Sequence, residues 1–211
     1  MMEYFGAFAI SPLFRLEDAR RLRNLLSTMD IRTIPLSHGE PVLSVGMVTK
    51  EVLLIAQGSL LIQAPNAWEG RTNLGTVQRG QVCAAALASS GERSPVDIIA
   101  QEDNTVVIAI PVEELSKDKE LEANLRTLIA GEAMELTRKF ALLRQRSVRE
   151  KILYFLTLEQ QTHHGKSFWV PLKKKELADL LCVDPSALFR ELTKLQEEGI
   201  VTVKGNLYTL H

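Results

Sequence analysis

Three consecutive cations, Lys173-Lys174-Lys175, open a stretch whose side chains are suited to holding phosphate. At the start of a helix each would face the positive end of the macrodipole, a cost of a few tenths to about 1 kcal/mol. The fold gains nothing from that arrangement. A phosphate docked there would be held by free N–H groups and lysines together. A solvated charge cluster beside a loop is the bland alternative, and the residues downstream favour phosphate. Asp184-Pro185 is a strong helix start, because the carboxylate can accept orphan N–H bonds and proline suits the first helical position. Leu177, Ala178 and Leu181 share a face of one short helix, and Leu188, Leu192 and Leu195 share a face of the next. With those faces turned inward, Ser186, Phe189 and Arg190 face out, where DNA bases would lie. Arg190 is the long donor there that can reach a guanine edge. A hairpin follows, Ile200–Val203 and Leu207–Leu210 flanking the turn Lys204-Gly205-Asn206. Two helices and a hairpin make a helix-turn-helix with a wing.

Other chemistries find little support. Cys83 and Cys182 lie far apart, with no CxxC or Cys/His ligand spacing, so no metal site or cofactor is expected. Two lone cysteines read as reduced thiols in a cytoplasmic protein. His163-His164 lacks a third ligand nearby and reads as a loop. An enzyme on a cupin-like β-roll would need two or three histidines and a glutamate converging in the barrel, and the β segment offers only His38. No segment approaches the roughly 18 apolar residues needed to span a bilayer.

The elements that position these residues follow from charge and periodicity. Of the 211 residues, 45% are hydrophobic and 24% charged, ordinary values for a globular chain. The net charge of −1 hides an asymmetry: residues 1–137 balance to −6 and residues 138–211 to +5, so the basic end carries the helix-turn-helix. A short helix is expected around Leu16–Met29. From 31 to 112, short apolar runs alternate with turns at Gly39, Gly46, Gly58, Gly70, Gly75, Gly80 and Gly91, the pattern of a closed or double-sheet β-roll. Residues 117–146 contain no proline and read as a long helix. On it Leu125, Ile129, Ala133, Leu136, Phe140 and Leu143 form one apolar stripe, suited to pairing two chains, to packing on the β-roll, or to both. Ser147–Gln161 reads as a further helix and Phe168-Trp169-Val170 as a strand.

β-roll, long helix and winged helix-turn-helix together resemble the Crp/Fnr family of bacterial transcription regulators, over nearly the whole chain. The resemblance is strongest from Lys174-Lys175-Glu176-Leu177-Ala178 through Ser186-Ala187-Leu188-Phe189-Arg190-Glu191-Leu192 to Leu195-Gln196-Glu197-Glu198-Gly199-Ile200. It implies an α+β chain with a cyclic-nucleotide-binding-like sensory β-roll at 1–116, a dimerisation helix at 117–146 and a winged helix-turn-helix at 147–211. It also implies a homodimer on an inverted-repeat operator, with RNA polymerase as a further partner. By position Lys174 would contact phosphate, flanked by Lys173 and Lys175, while Pro185, Ser186, Phe189 and Arg190 would face bases and Lys204 would sit on the wing.

Where the family often has arginine and glutamate, this chain has Pro185 and Ser186, which cannot make the same bidentate base contacts. The sensory pocket departs further. Cyclic-nucleotide binders of the family carry a Gly-Glu pair and then an Arg-Ser pair; here Ala84-Ala85 stand at the first, and Arg93-Ser94 keep the second, one residue closer. Losing a buried hydrogen bond to the carboxylate would weaken nucleotide binding roughly 10- to 100-fold. Cys83, Ala85, Arg93 and Ser94 are the candidate effector-binding residues, with Arg93 open to another anion or to a purely structural pairing. The expected function is a sequence-specific regulator sensing an unidentified small molecule other than cyclic AMP, or none. The alternatives are the cupin-like enzyme and a nucleotide-gated interaction module without DNA binding.

Overall fold

The computed structural model describes residues 2–15, 18–66, 70–163 and 165–211. The chain forms two compact units, one ending at Glu132 and the other starting at Ala133. The first unit opens with helices α1 (Phe5–Ile10) and α2 (Ala19–Thr28). Strands β1 (Arg32–Leu36), β2 (Pro41–Leu43), β3 (Glu51–Gln57), β4 (Ser59–Pro65), β5 (Arg71–Gln78) and β6 (Val82–Cys83) follow. Helix α3 (Ala85–Ser90), strands β7 (Asp97–Ala100) and β8 (Thr105–Pro111), helix α4 (Val112–Ser116) and the start of α5 (Lys119–Leu143) complete it. The strands form two antiparallel four-stranded sheets, ordered β1-β8-β3-β6 and β2-β7-β4-β5. This is the double-sheet roll expected over 31–112.

Residues 52–56 of β3 are buried without interruption, and the two-residue period of a strand explains why. Leu53 and Ile55 face the second sheet, joining Leu60, Val77, Ile98, Val107 and Ala109 in the roll interior. Val52, Leu54 and Ala56 point the other way, into a core with Phe8, Phe14, Leu22, Leu26, Leu115 and Leu121. One sheet is therefore covered on both faces, by its partner sheet and by a helical layer. The first helix of that layer was not legible in the sequence. Phe8 meets Phe14 edge to face at 4.9 Å. The helix read around Leu16–Met29 is α2; Leu16 and Glu17 lie outside the described residues.

Two glycines behave differently from each other. Gly75 is no turn residue; it lies inside β5 opposite Ile62, where the register with β4 shifts. Gly58, at φ +75°, links β3 to β4, and an added Cβ would lie 2.5 Å from Thr105 Oγ1 and 3.1 Å from Thr105 Cα. Backbone strain and the collision with a buried threonine act together here. Gly58→Ala should cost about 1–3 kcal/mol, read as a lower urea midpoint at unchanged slope.

Helix α5 matches the long helix read over 117–146, but its stripe is divided. Leu125 (5% exposed) and Ile129 pack on the first unit's own core. The outer face of the roll is apolar and must be covered, and the early turns of α5 cover it. Further along, Leu136 (66%), Phe140 (65%) and Leu143 (50%) are exposed, as is Ala133.

The second unit contains the end of α5, then α6 (Val148–His163), β9 (Ser167–Trp169), α7 (Lys174–Leu180), α8 (Pro185–Glu197), β10 (Val201–Lys204) and β11 (Leu207–Leu210). Its three strands form an antiparallel sheet ordered β10-β11-β9. Ile152, Phe155, Leu156, Phe168, Leu177, Ala178, Leu188, Leu192 and Tyr208 share its core. Among the described residues no helix is long and apolar enough to cross a membrane.

Candidate nucleic-acid interface

Helices α7 and α8 meet at a turn built from inside the second unit. Ala178 is fully buried, and its carbonyl accepts the Val183 N–H at 3.0 Å. Cys182 takes a left-handed conformation at φ +50° to let the chain reverse. Lys151 of α6 donates from Nζ to the carbonyls of Leu181 (3.0 Å) and Cys182 (3.4 Å), meeting acceptors that the end of α7 leaves open. Asp184 Oδ1 accepts from the Ala187 N–H at 3.0 Å with Pro185 in the first turn, the start expected from the sequence.

Leu188, Leu192 and Leu195 of α8 are buried, leaving Pro185, Ser186, Phe189 (62% exposed) and Arg190 on the solvent face. A clamp holds this helix from behind. Arg149 of α6 donates from Nη1 to Glu191 Oε1 (3.2 Å) and Glu198 Oε1 (3.0 Å), and from Nη2 to Glu198 Oε2. These hydrogen bonds raise the pKa of the guanidinium and lower that of Glu198. The clamp also pairs the largely covered Glu191 carboxylate, which would otherwise be left without a cation. The roles of Arg149 and Lys151 are not legible in the sequence, because neither sits in a motif and their partners lie 30 or more positions away.

The lysine run does not act as one cluster. Lys173 precedes α7, and its N–H donates to Glu176 Oε2 at 2.6 Å, so the helix start has a carboxylate of its own. Lys173 and Lys175 are exposed. Lys174 is half-buried: its Nζ lies 5.2 Å from the Tyr208 ring centre and 3.3 Å from the hydroxyl. Burial lowers the Lys174 pKa and raises that of Tyr208. The middle lysine therefore ties α7 to β11, and the outer two are free for an anion. On the wing, Lys204 is exposed opposite Leu207, and Gly205 at φ +63° supplies the positive φ that a two-residue hairpin turn needs.

The four candidate effector residues differ in their surroundings. Cys83 is buried in the roll interior, where burial first and the Glu132 carboxylate second push its thiol up to about 12. Ala85 is buried at the start of α3, after Ala84 at φ +59°. Arg93 Nη1 donates to the Gly46 carbonyl at 2.8 Å. Ser94 Oγ donates to the Val96 carbonyl at 2.7 Å, and the Ser94 backbone bonds to Gly46 and Met47. The Arg-Ser pair fastens the segment between β2 and β3, and Arg93's partner is a carbonyl rather than a carboxylate. His38 sits on a turn with Nδ1 2.8 Å from the Gln101 carbonyl, away from the roll interior. His163 ends α6, 3.6 Å from Glu159, and His164 lies outside the described residues.

Residues 150–211 match the model of the Crp-like helix-turn-helix domain. No curated protein matches the chain in sequence. Among solved structures, the catabolite activator protein of Thermus thermophilus is similar over 95% of this chain and 94% of its own, at 22% identity and a TM-score of 0.56. CprK complexed with OCPA is similar over 96% of this chain and 95% of its own, at 19% identity and a TM-score of 0.61. A candidate transcriptional regulator of the Crp/Fnr family from Eubacterium rectale is similar over 95% and 94%, at 20% identity and a TM-score of 0.50. At these identities the likeness is one of fold.

Proposed function

We propose that this chain, with its Crp-like helix-turn-helix domain and Crp/Fnr-type fold, is a dimeric transcription regulator that binds a specific DNA sequence. The observation that carries the reading is the solvent face of α8. Ser186, Phe189 and Arg190 are presented on a helix capped by Asp184 and braced by Arg149, with Lys173, Lys175 and Lys204 exposed on neighbouring elements. Such a helix can enter a major groove, with the lysines neutralising flanking phosphates. Dimerisation is supported by Leu136, Phe140 and Leu143, exposed apolar residues at spacings of four and three on one helix. A gel shift with fragments of the source genome tests the reading. Retention of a few fragments over excess nonspecific DNA is expected; uniform weak binding or none would overturn it.

The roll acts as a scaffold or as a sensor for something other than cyclic AMP. Ala84-Ala85 provide no carboxylate for a ribose, Arg93 is bonded to Gly46, and the space between the sheets holds apolar side chains. His38, the one histidine between residues 31 and 112, sits on a turn outside that interior, which weighs against the cupin-type alternative. Titration calorimetry should show no cyclic AMP binding at low micromolar concentration. Binding there, together with cyclic-AMP-dependent DNA affinity, would contradict this.

A further inference from the structure

Within the second unit, the end of α5, helix α6 and the last residue of α7 surround a groove of about 470 Å³, inside the range that accommodates small molecules. Leu142 and Phe155 are buried beneath it, and Leu158 and Leu180 line it. Its rim carries charges of both signs. Lys139 Nζ lies 2.8 Å from Glu135 Oε1, whereas Glu159, 3.6 Å from His163, has an ionic partner only when that imidazole is protonated. Among the described residues the exposed Arg138 guanidinium makes no ion pair, and the exposed Gln161 side-chain amide, also on the groove lining, makes no hydrogen bond. An apolar floor below one uncommitted guanidinium and one uncommitted amide is complementary to a particular ligand chemistry.

We infer that this groove binds a small apolar monocarboxylate, with its hydrocarbon on Leu142, Phe155, Leu158 and Leu180 and its carboxylate on Arg138 and Gln161. The inference rests on the regulator reading and names its effector class. The groove's location gives an occupant leverage. Leu180 immediately precedes the turn that aims α8, and the groove-lining residues of α5 alternate with Leu136, Phe140 and Leu143, the proposed pairing face. A ligand seated here touches both the helix that would join two subunits and the first helix of the DNA-binding motif. Such contacts can shift the relative stability of two arrangements of the domain.

Octanoate and its neutral isostere octanamide are the probes, titrated into the full chain by calorimetry. Wild type should bind octanoate about tenfold or more tightly than octanamide. Arg138→Gln should remove that preference by weakening octanoate far more than octanamide. Leu180→Gln should weaken both probes, with melting curves confirming a folded protein. Octanoate should also change wild-type DNA affinity at least about threefold, and leave that of Arg138→Gln unchanged. No octanoate binding, equal affinity for the two probes, an unchanged preference in Arg138→Gln, or binding that leaves DNA affinity unaltered would each overturn the inference. So would Leu180→Gln becoming monomeric without ligand, since the groove would then be a subunit contact. DNA affinity without octanoate reports on the regulator reading separately.

Discussion

Replacing Leu136 and Phe140 together with glutamate is expected to yield a monomer that no longer holds its operator specifically. Both side chains are mostly exposed in the single chain, so the fold itself should survive, with a melting temperature for the chain little changed. In a two-fold dimer the pair contributes four apolar side chains, each worth roughly 1.5–3 kcal/mol on burial. A micromolar dimer is held by about 8 kcal/mol, so losing even half of that contribution dissociates it. The glutamates add charge at the interface centre, which costs more still. A monomer contacts one half-site, and specific affinity should fall at least about 100-fold. Sedimentation at micromolar concentration, with operator binding measured in parallel, checks both halves. A wild type that is monomeric there yet binds DNA fully would remove the premise.

The second large effect separates reading from holding. Arg190→Ala should cost about 1–3 kcal/mol on the cognate site and flatten discrimination at one base pair per half-site. Lys173→Ala or Lys175→Ala should instead weaken all DNA about equally. Each should lower the salt slope by roughly 1 for every phosphate left without its lysine, doubled when both subunits carry the change. Lys174→Ala belongs to a different class. Its ammonium lies against Tyr208, so it should leave the salt slope nearly unchanged while loosening the link between α7 and the wing. Competition binding at several salt concentrations resolves all three. A base preference that survives Arg190→Ala but changes with a lysine substitution would mean that α8 is not the reading helix.

Much of this arrangement was legible because its causes are local. Asp184-Pro185 starts a helix through its own carboxylate and ring, and Leu188, Leu192 and Leu195 announce a buried face by spacing alone. Strand runs such as Val106–Ile110 declare themselves by continuous apolar character, because both of their faces are covered. What stayed hidden depends on partners distant in the chain. No spacing connects Arg149 to Glu198 or Lys174 to Tyr208, and the lysine run is uniform in sequence although one member packs inward. The apolar stripe of α5 was visible, yet its division was not. Whether Leu125 meets its own roll or another chain depends on where the helix enters that core. Arg93 shows the same limit, since its partner is a backbone carbonyl 47 residues away that carries no sequence signature.

On the proposed reading, two copies of this chain read DNA through paired α8 helices. Selection of bound fragments from the source genome, followed by footprinting of the enriched ones, tests it most directly. The expected footprint is an inverted repeat protected symmetrically, with half-site centres about one helical turn apart, roughly 10–10.5 base pairs. That enrichment should vanish in the Leu136→Glu, Phe140→Glu double variant. Fragments enriched without a two-fold repeat, or no enrichment over random genomic DNA, would contradict it.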